Sequence, residues 1–217
     1  MEQRTDEWLN ARRGKITASG FANMMKTTRS GESTYKTRYR TELAIERLTG
    51  KAANETPMNQ FMRDGVEREP IARELFIKQT GIEVEECGFY NHPTIDMSGA
   101  SPDGIIKAEN AVLEIKCPTP VTHANNLLSD KMPNNYKYQV QWQIACAESD
   151  KAYFCSYNPN YPEKLQIKVV EVARDDELIS KMEEAARQFH IEVEDLIIKM
   201  GEVNGWRLWW QESVCLV

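Results

Sequence analysis

The sequence predicts an α/β domain in which a central mixed β-sheet is flanked by helices, and three observations lead there. Helical periodicity dominates both ends: residues 58–80 carry Phe61, Ile71, Leu75 and Phe76 on a helical repeat stopped by Gly81, and about 175–200 reads as a long closing helix. Between them, 83–90, 95–99, 103–107 and 111–117 are short segments bounded by turn residues. Two further strand-like runs, KAYFCSY (151–157) and LQIKVVEV (165–172), are separated by the loop NPNYPEK. Helices, a sheet, a helix at 135–147, two more strands and a final helix make an α/β or α+β domain with a mixed sheet.

The remaining elements fill in around these. Residues 5–12 and 17–26 read as short helices, the second capped by Thr17 or Ser19, and 36–49 places Tyr39, Leu43, Ile45 and Leu48 near helical spacing. No repeat, low-complexity stretch or Pro/Gly/Ser-rich linker divides the chain, so residues 1–217 are read as one domain. With 41% hydrophobic and 28% charged residues, the composition is that of a soluble protein. No apolar run is long enough to span a membrane, and MEQRTDEWLN lacks the apolar core of a signal peptide, so a cytoplasmic location without membrane partners is expected. The cysteines Cys87, Cys117, Cys146, Cys155 and Cys215 form no CxxC pair and are odd in number; they are read as reduced, mostly buried small hydrophobes.

The net charge of −6 argues mildly against a nucleic-acid partner, but its distribution softens that. Residues 1–40 hold nine Lys/Arg against four acids, whereas 171–217 hold five against eleven. One anion-facing surface on an acidic body, or simply two solvated faces, would give this pattern.

The chemistry concentrates in SPDGIIKAENAVLEIKCP, residues 101–118. On a strand LEIKC (113–117), alternation puts Glu114 and Lys116 on one face and Leu113, Ile115 and Cys117 on the other. If 103–107 is the hairpin neighbour, Asp103 lies near Glu114. Two close carboxylates repel, a conflict that a hard divalent cation such as Mg²⁺ removes while binding phosphate oxygens and activating water. Lys116 can then orient or deprotonate that water and add positive charge. Glu114-Ile115-Lys116 is the only Asp/Glu-x-Lys triplet in the chain, although a salt-bridged surface hairpin would use the same residues. Elsewhere, Glu69 reads first as an exposed helix acid and Gln141 as a helix-surface amide. Arg12 and Ser19 form either a phosphate grip at a helix start or a cap with a surface arginine. Trp206, Trp209 and Trp210 suggest packing, and His92, His123 and His190 share no ligand spacing and read as structural.

Taken together, WLNARRGKITAS (8–19), GVEREPIARELF (65–76), SPDGII, LEIKCP, YQVQWQIA (138–145) and KAYFCSYNP (151–159) resemble, in order, the blocks of the phage lambda-type exonuclease (viral recombinase exonuclease) family of the PD-(D/E)xK nucleases. The resemblance covers about residues 5–200 and implies an α/β restriction-endonuclease-like core. By that likeness Asp103, Glu114 and the carbonyl of Ile115 ligate Mg²⁺, for which Mn²⁺ can substitute, and Lys116 is the catalytic lysine. Glu69 assists at the metal and Gln141 sits close to it. Arg12 and Ser19 hold a 5′-phosphate, Arg29 touches DNA, and Met62 occupies the place of an apolar wedge at the duplex end. The family digests one strand of linear duplex DNA 5′→3′ to mononucleotides, leaving a 3′ overhang for strand annealing. The same likeness implies a ring-shaped homotrimer and a single-strand annealing protein as partner. Some relatives hold an iron–sulfur cluster through four cysteines in an arrangement that this chain lacks, so none is expected. A restriction-like or nicking endonuclease, or a non-catalytic DNA-binding protein, are the alternatives.

Overall fold

The computed structural model of the protein describes residues 1–28, 31–54 and 59–203. Helix α1 (Asp6–Arg12) begins where the Thr5 hydroxyl accepts from the Trp8 amide, with Asp6 and Glu7 in its first turn and Arg12 in its last, matching the helix dipole. Strand β1 (Ile16–Thr17) runs directly into α2 (Ala18–Met24). Thr17 occupies the cap position of α2 without a capping bond; its hydroxyl instead lies 3.3 Å from that of Ser19. The short antiparallel pair β2 (Thr27–Thr28) and β3 (Gly31–Glu32) precedes α3 (Thr34–Thr49), which starts at Ser33 and ends at a left-handed Gly50. Helix α4 (Gln60–Thr80) is capped by Asn59 and stopped by Gly81, whose φ of 72° a side chain would strain.

The principal sheet contains β6 (Gly104–Ile106), β7 (Ala111–Lys116), β8 (Lys151–Tyr157) and β9 (Ile167–Ala173), in that spatial order. Its pairings are antiparallel, parallel and antiparallel, so the sheet is mixed, as the sequence predicts. The parallel step from β7 to β8 needs a crossover, and α5 (Pro120–Leu127) and α6 (Lys137–Cys146) supply it. A smaller sheet joins β1, β5 (Ser98–Ala100) and β4 (Tyr90–Asn91), and α7 (Asp176–Val203) closes the core.

Strand alternation divides the interior in two. Leu113, Ile115, Tyr153 and Cys155 pack against Ala72 and Phe76 of α4. Val112 and Ala152 face the other way, toward Phe21, Trp142, Ile144, Met182 and Phe189 of α2, α6 and α7. Glu114 and Lys116 therefore share the Val112 face, which looks onto α6.

Two expectations need correction. Residues 83–90 form no continuous strand: Glu85 makes an isolated bridge to Ile105, Tyr90 opens β4, and between them the Cys87 carbonyl accepts from the Gln3 side chain. Helix α5 lies in a stretch the sequence leaves unassigned. There Thr119 caps and Pro120 opens the helix, a position where the missing N–H costs nothing. Among the described residues no helix is long and apolar enough to cross a membrane.

Candidate active site

Asp103 immediately precedes β6, and the register Gly104↔Leu113 sets it opposite Glu114. Its backbone N–H donates to the Leu113 carbonyl at 2.9 Å, and its carboxylate accepts from the Ile115 N–H at 2.7 Å. These two bonds straddle Glu114 and hold the two acids side by side. Burial, and then the Glu114 charge, push the Asp103 carboxyl well above the usual carboxylate range. Glu114 is only 1% exposed; it accepts from the side-chain amides of Gln139 (2.6 Å) and Gln143 and pairs with Lys116. Burial opposes the Lys116 charge, yet Glu114 and Asp103 hold its ammonium above the ordinary lysine range. The ring of Tyr136 lies 5.4 Å from the Lys116 ammonium.

Glu69 approaches from α4, on the opposite face of the sheet. Its carboxylate binds Arg73 at 3.1 Å and also pairs with Arg4, so it is not the exposed helix acid of the simplest reading. Arg73 in turn donates to the Asp103 carbonyl at 3.1 Å and pairs with Glu86, tying α4 to the Asp103 turn.

The structure corrects one member of the expected set. Gln141 does not reach Glu114; its amide donates to the Ala173 carbonyl at 2.8 Å and accepts from the Asp175 N–H at 2.9 Å, joining the end of β9 to the start of α7. Residues two apart on a helix point to nearly opposite sides, whereas Gln139 and Gln143, four apart, share one. The spacing Gln139-x-Gln141-x-Gln143 thus contained the answer, but only with the face of α6 known.

Arg12 stacks over the Trp8 ring at 4.0 Å and has no carboxylate partner among the described residues. Burial lowers its tendency to stay charged, partly offset by Tyr39 and Glu46. It lines an open cleft of about 380 Å³ with Trp8, Arg13, Lys15 and Thr17, and Glu42 and Glu46 also face that cleft. Ser19 is exposed and reaches this cleft only through Thr17. Met62 lies exposed near the start of α4, beside exposed Phe61. Arg29, Cys215 and the tryptophans 206, 209 and 210 fall outside the described residues. The three histidines are structural, as expected: His92 stacks on Trp142, His123 is buried between Ser156 and the Leu165 carbonyl, and His190 meets Arg47. Burial pushes the Cys87 thiol up to about 12 and that of Cys117 to about 11, so both stay inert thiols at neutral pH.

A buried acid held above its range beside a second carboxylate suits a hard cation. Among the described residues no three His, Cys, Asp or Glu side chains gather to enclose one. The donors present are two carboxylates plus backbone oxygen, a set that fits Mg²⁺, which keeps several of its waters.

Its family and its structural relatives make this chain a nuclease. A model of the YqaJ-like viral recombinase domain matches residues 7–150, and the chain belongs to that family. The chain is 36% identical to the alkaline exonuclease LHK-Exo from Laribacter hongkongensis, covering 93% of this chain and 98% of that one. The TM-score is 0.84 for that enzyme's crystal structure and 0.85 for its complex with dAMP. A phage-related exonuclease from Haemophilus somnus shares the fold, with a TM-score of 0.70 at 16% identity over 88% of this chain and 99% of that one. No curated protein matches the chain.

Proposed function

We propose that the protein is a Mg²⁺-dependent exonuclease that digests one strand of linear duplex DNA 5′→3′ to mononucleotides, leaving a 3′ overhang for recombination by strand annealing. The observation that carries this reading is the pair of opposed carboxylates, Asp103 and Glu114, with Lys116 at the end of the same strand. The 36% identical exonuclease, crystallised with a deoxynucleoside monophosphate, supports a mononucleotide product.

Asp103, Glu114 and the Ile115 carbonyl would hold the Mg²⁺, or Mn²⁺ in its place; the bound ion supplies a water of lowered pKa and neutralises charge on the phosphate. Gln139 and Gln143 fix the Glu114 carboxylate in one orientation, so its oxygens need no reorganisation when DNA arrives. Lys116, already protonated, orients a water by donating to it and adds positive charge near the scissile phosphate. Glu69 supports the centre from α4. Arg12, largely buried on Trp8 and in no ion pair among the described residues, is matched to a terminal 5′-phosphate, with Ser19 as a hydroxyl donor nearby. Arg29 and Met62 are proposed as a DNA contact and as the wedge at the duplex end. The reading extends to a single nuclease domain in a homotrimeric ring, which would reconcile a basic N-terminal region with an acidic chain, and to a single-strand annealing protein as partner.

The test is digestion of linear duplex DNA labelled at either 5′ or 3′ ends, with Mg²⁺ and with a chelator. Early release of 5′ label as mononucleotide in Mg²⁺ alone is expected. Rapid cutting of closed circular DNA would refute end dependence. Light scattering on the purified chain tests the trimer.

A further inference from the structure

Trp8 touches both the Arg12 cleft and the turn that carries Asp103. Its ring lies under the Arg12 guanidinium at 4.0 Å, one turn apart on α1. Its indole N–H donates to the Ser101 hydroxyl at 2.9 Å. Ser101 stands two residues before Asp103, and its carbonyl lies 3.5 Å from the Gln143 amide, which also donates to Glu114. Contacts therefore run without a break from the arginine of the cleft, through Trp8 and Ser101, to both acids.

The same turn is held by the arm before α1, where the Gln3 amide donates to the Cys87 carbonyl at 3.0 Å and the Pro102 carbonyl at 2.6 Å. Gln3 does not line the cleft; Trp8 does. The backbone under the ring is fixed as well, since the Trp8 amide donates to the capping Thr5 hydroxyl. The carboxylates that face the cleft have other partners: Glu42 pairs with Arg38 and accepts from Asn54, and Glu46 accepts from the Gly14 and Ala53 amides. An indole has a face for a guanidinium and one polar atom, a donor, here engaged by Ser101. A phenylalanine at this position would keep the stacking face and lose the bond.

We infer that Trp8 is a positioning residue: it fixes Arg12 relative to Asp103 and Glu114, so that a phosphorylated 5′ end held by Arg12 presents its first phosphodiester to the acids in register. The inference rests on the reading that Arg12 takes a terminal 5′-phosphate. Misplacing a bound reactant by a fraction of its bond-forming distance slows the chemical step without weakening binding. An end that carries no phosphate is not held by Arg12 and gains nothing from the tie.

The test is single-turnover digestion in Mg²⁺ of duplexes bearing a 5′-phosphate or a 5′-hydroxyl, for the full chain, Trp8→Phe, Ser101→Ala and the double variant. On phosphorylated ends Trp8→Phe should lower the maximal rate about three- to tenfold, the scale of one neutral hydrogen bond, with the half-saturating enzyme concentration within about twofold of the parent's. On hydroxyl ends its rate should stay close to the parent's. The double variant should be no slower than Ser101→Ala, because both single changes remove one bond. Ser101→Ala removes that bond from the other side and decides the matter if Trp8→Phe does not fold: its loss should again fall in the maximal rate on phosphorylated ends. Equal loss on both ends would make Trp8 a mere support of the turn and overturn the inference. So would an unchanged rate, a loss confined to half-saturation, or additive losses in the double variant. A parent protein with no preference for phosphorylated ends would instead overturn the reading of Arg12 itself.

Discussion

Gln139→Ala and Gln141→Ala, two residues apart on one helix, should fail in different ways. Gln141 is 2% exposed and makes two bonds of ordinary length to the backbone, at Ala173 and Asp175. Truncation leaves that carbonyl and amide without their partner; at about 0.5–1.5 kcal/mol for each bond, the loss is roughly 2 kcal/mol. For a chain of this size that lowers Tm by about 4–8 °C. Gln139 instead donates to a buried carboxylate, a charge-assisted bond of about 1.5–3 kcal/mol. If its role is to preorganise Glu114, that free energy appears in the transition state, and kcat falls about ten- to a hundredfold. Thermal unfolding and Mg²⁺-saturated digestion of end-labelled duplex, run on both variants, separate the two. A Gln141→Ala protein with full Tm and lost kcat, or a Gln139→Ala protein with full kcat, would refute the assignment.

Three further outcomes follow from the site. Lys116→Met should reduce kcat by about 10²–10³-fold, the scale of one preorganised charged donor; digestion at the parent rate would show that the chemistry lies elsewhere. Arg12→Ala should erase the preference for 5′-phosphorylated over 5′-hydroxyl ends, about ten- to a hundredfold in kcat/KM, while Mn²⁺ binding is kept; equal loss on both ends would remove it from phosphate recognition. The third concerns pH. Because burial and Glu114 raise the Asp103 carboxyl in the folded state, the native protein holds a proton that the unfolded chain releases more readily. The stabilisation is complete below the unfolded value and is lost as pH rises through the folded one. In chelator, Tm should therefore rise on mild acidification, and Asp103→Asn should raise Tm at neutral pH by a few degrees while flattening its pH dependence. A variant with the parent protein's pH profile would contradict this.

The parts of the site that lie on strands were legible in the sequence because strand geometry has period two. Once 111–117 is a strand, the shared face of Glu114 and Lys116 is forced, and Asp103 opposite them needs only the hairpin register. The helical contributions were less legible, since the active face of a helix depends on how it docks. Every residue of α6 from Val140 to Cys146 is buried, so no polar stripe marks which glutamine meets Glu114, and Gln141, expected there, bonds instead to the backbone at Ala173 and Asp175. The arm at Gln3 and Arg4 was invisible for another reason. Its bonds reach residues 84, 99 and 65 positions away, and nothing local in MEQRTDEW announces them.

The arrangement also explains why the acids need so much support. An isolated buried carboxylate is strongly disfavoured, and two together more so. Each acid here meets a different partner class: Asp103 a backbone N–H from its own sheet, Glu114 two amides from α6 and an ammonium, and Glu69 two guanidinium groups, one fixed and one on the terminal arm. The fixed donors come from elements whose far faces are locked into the core, Phe76 on α4 and Trp142 on α6. Rigid elements thus hold Glu114 and Asp103 side by side, while Arg4, on the terminal arm, is the half-exposed member of the set.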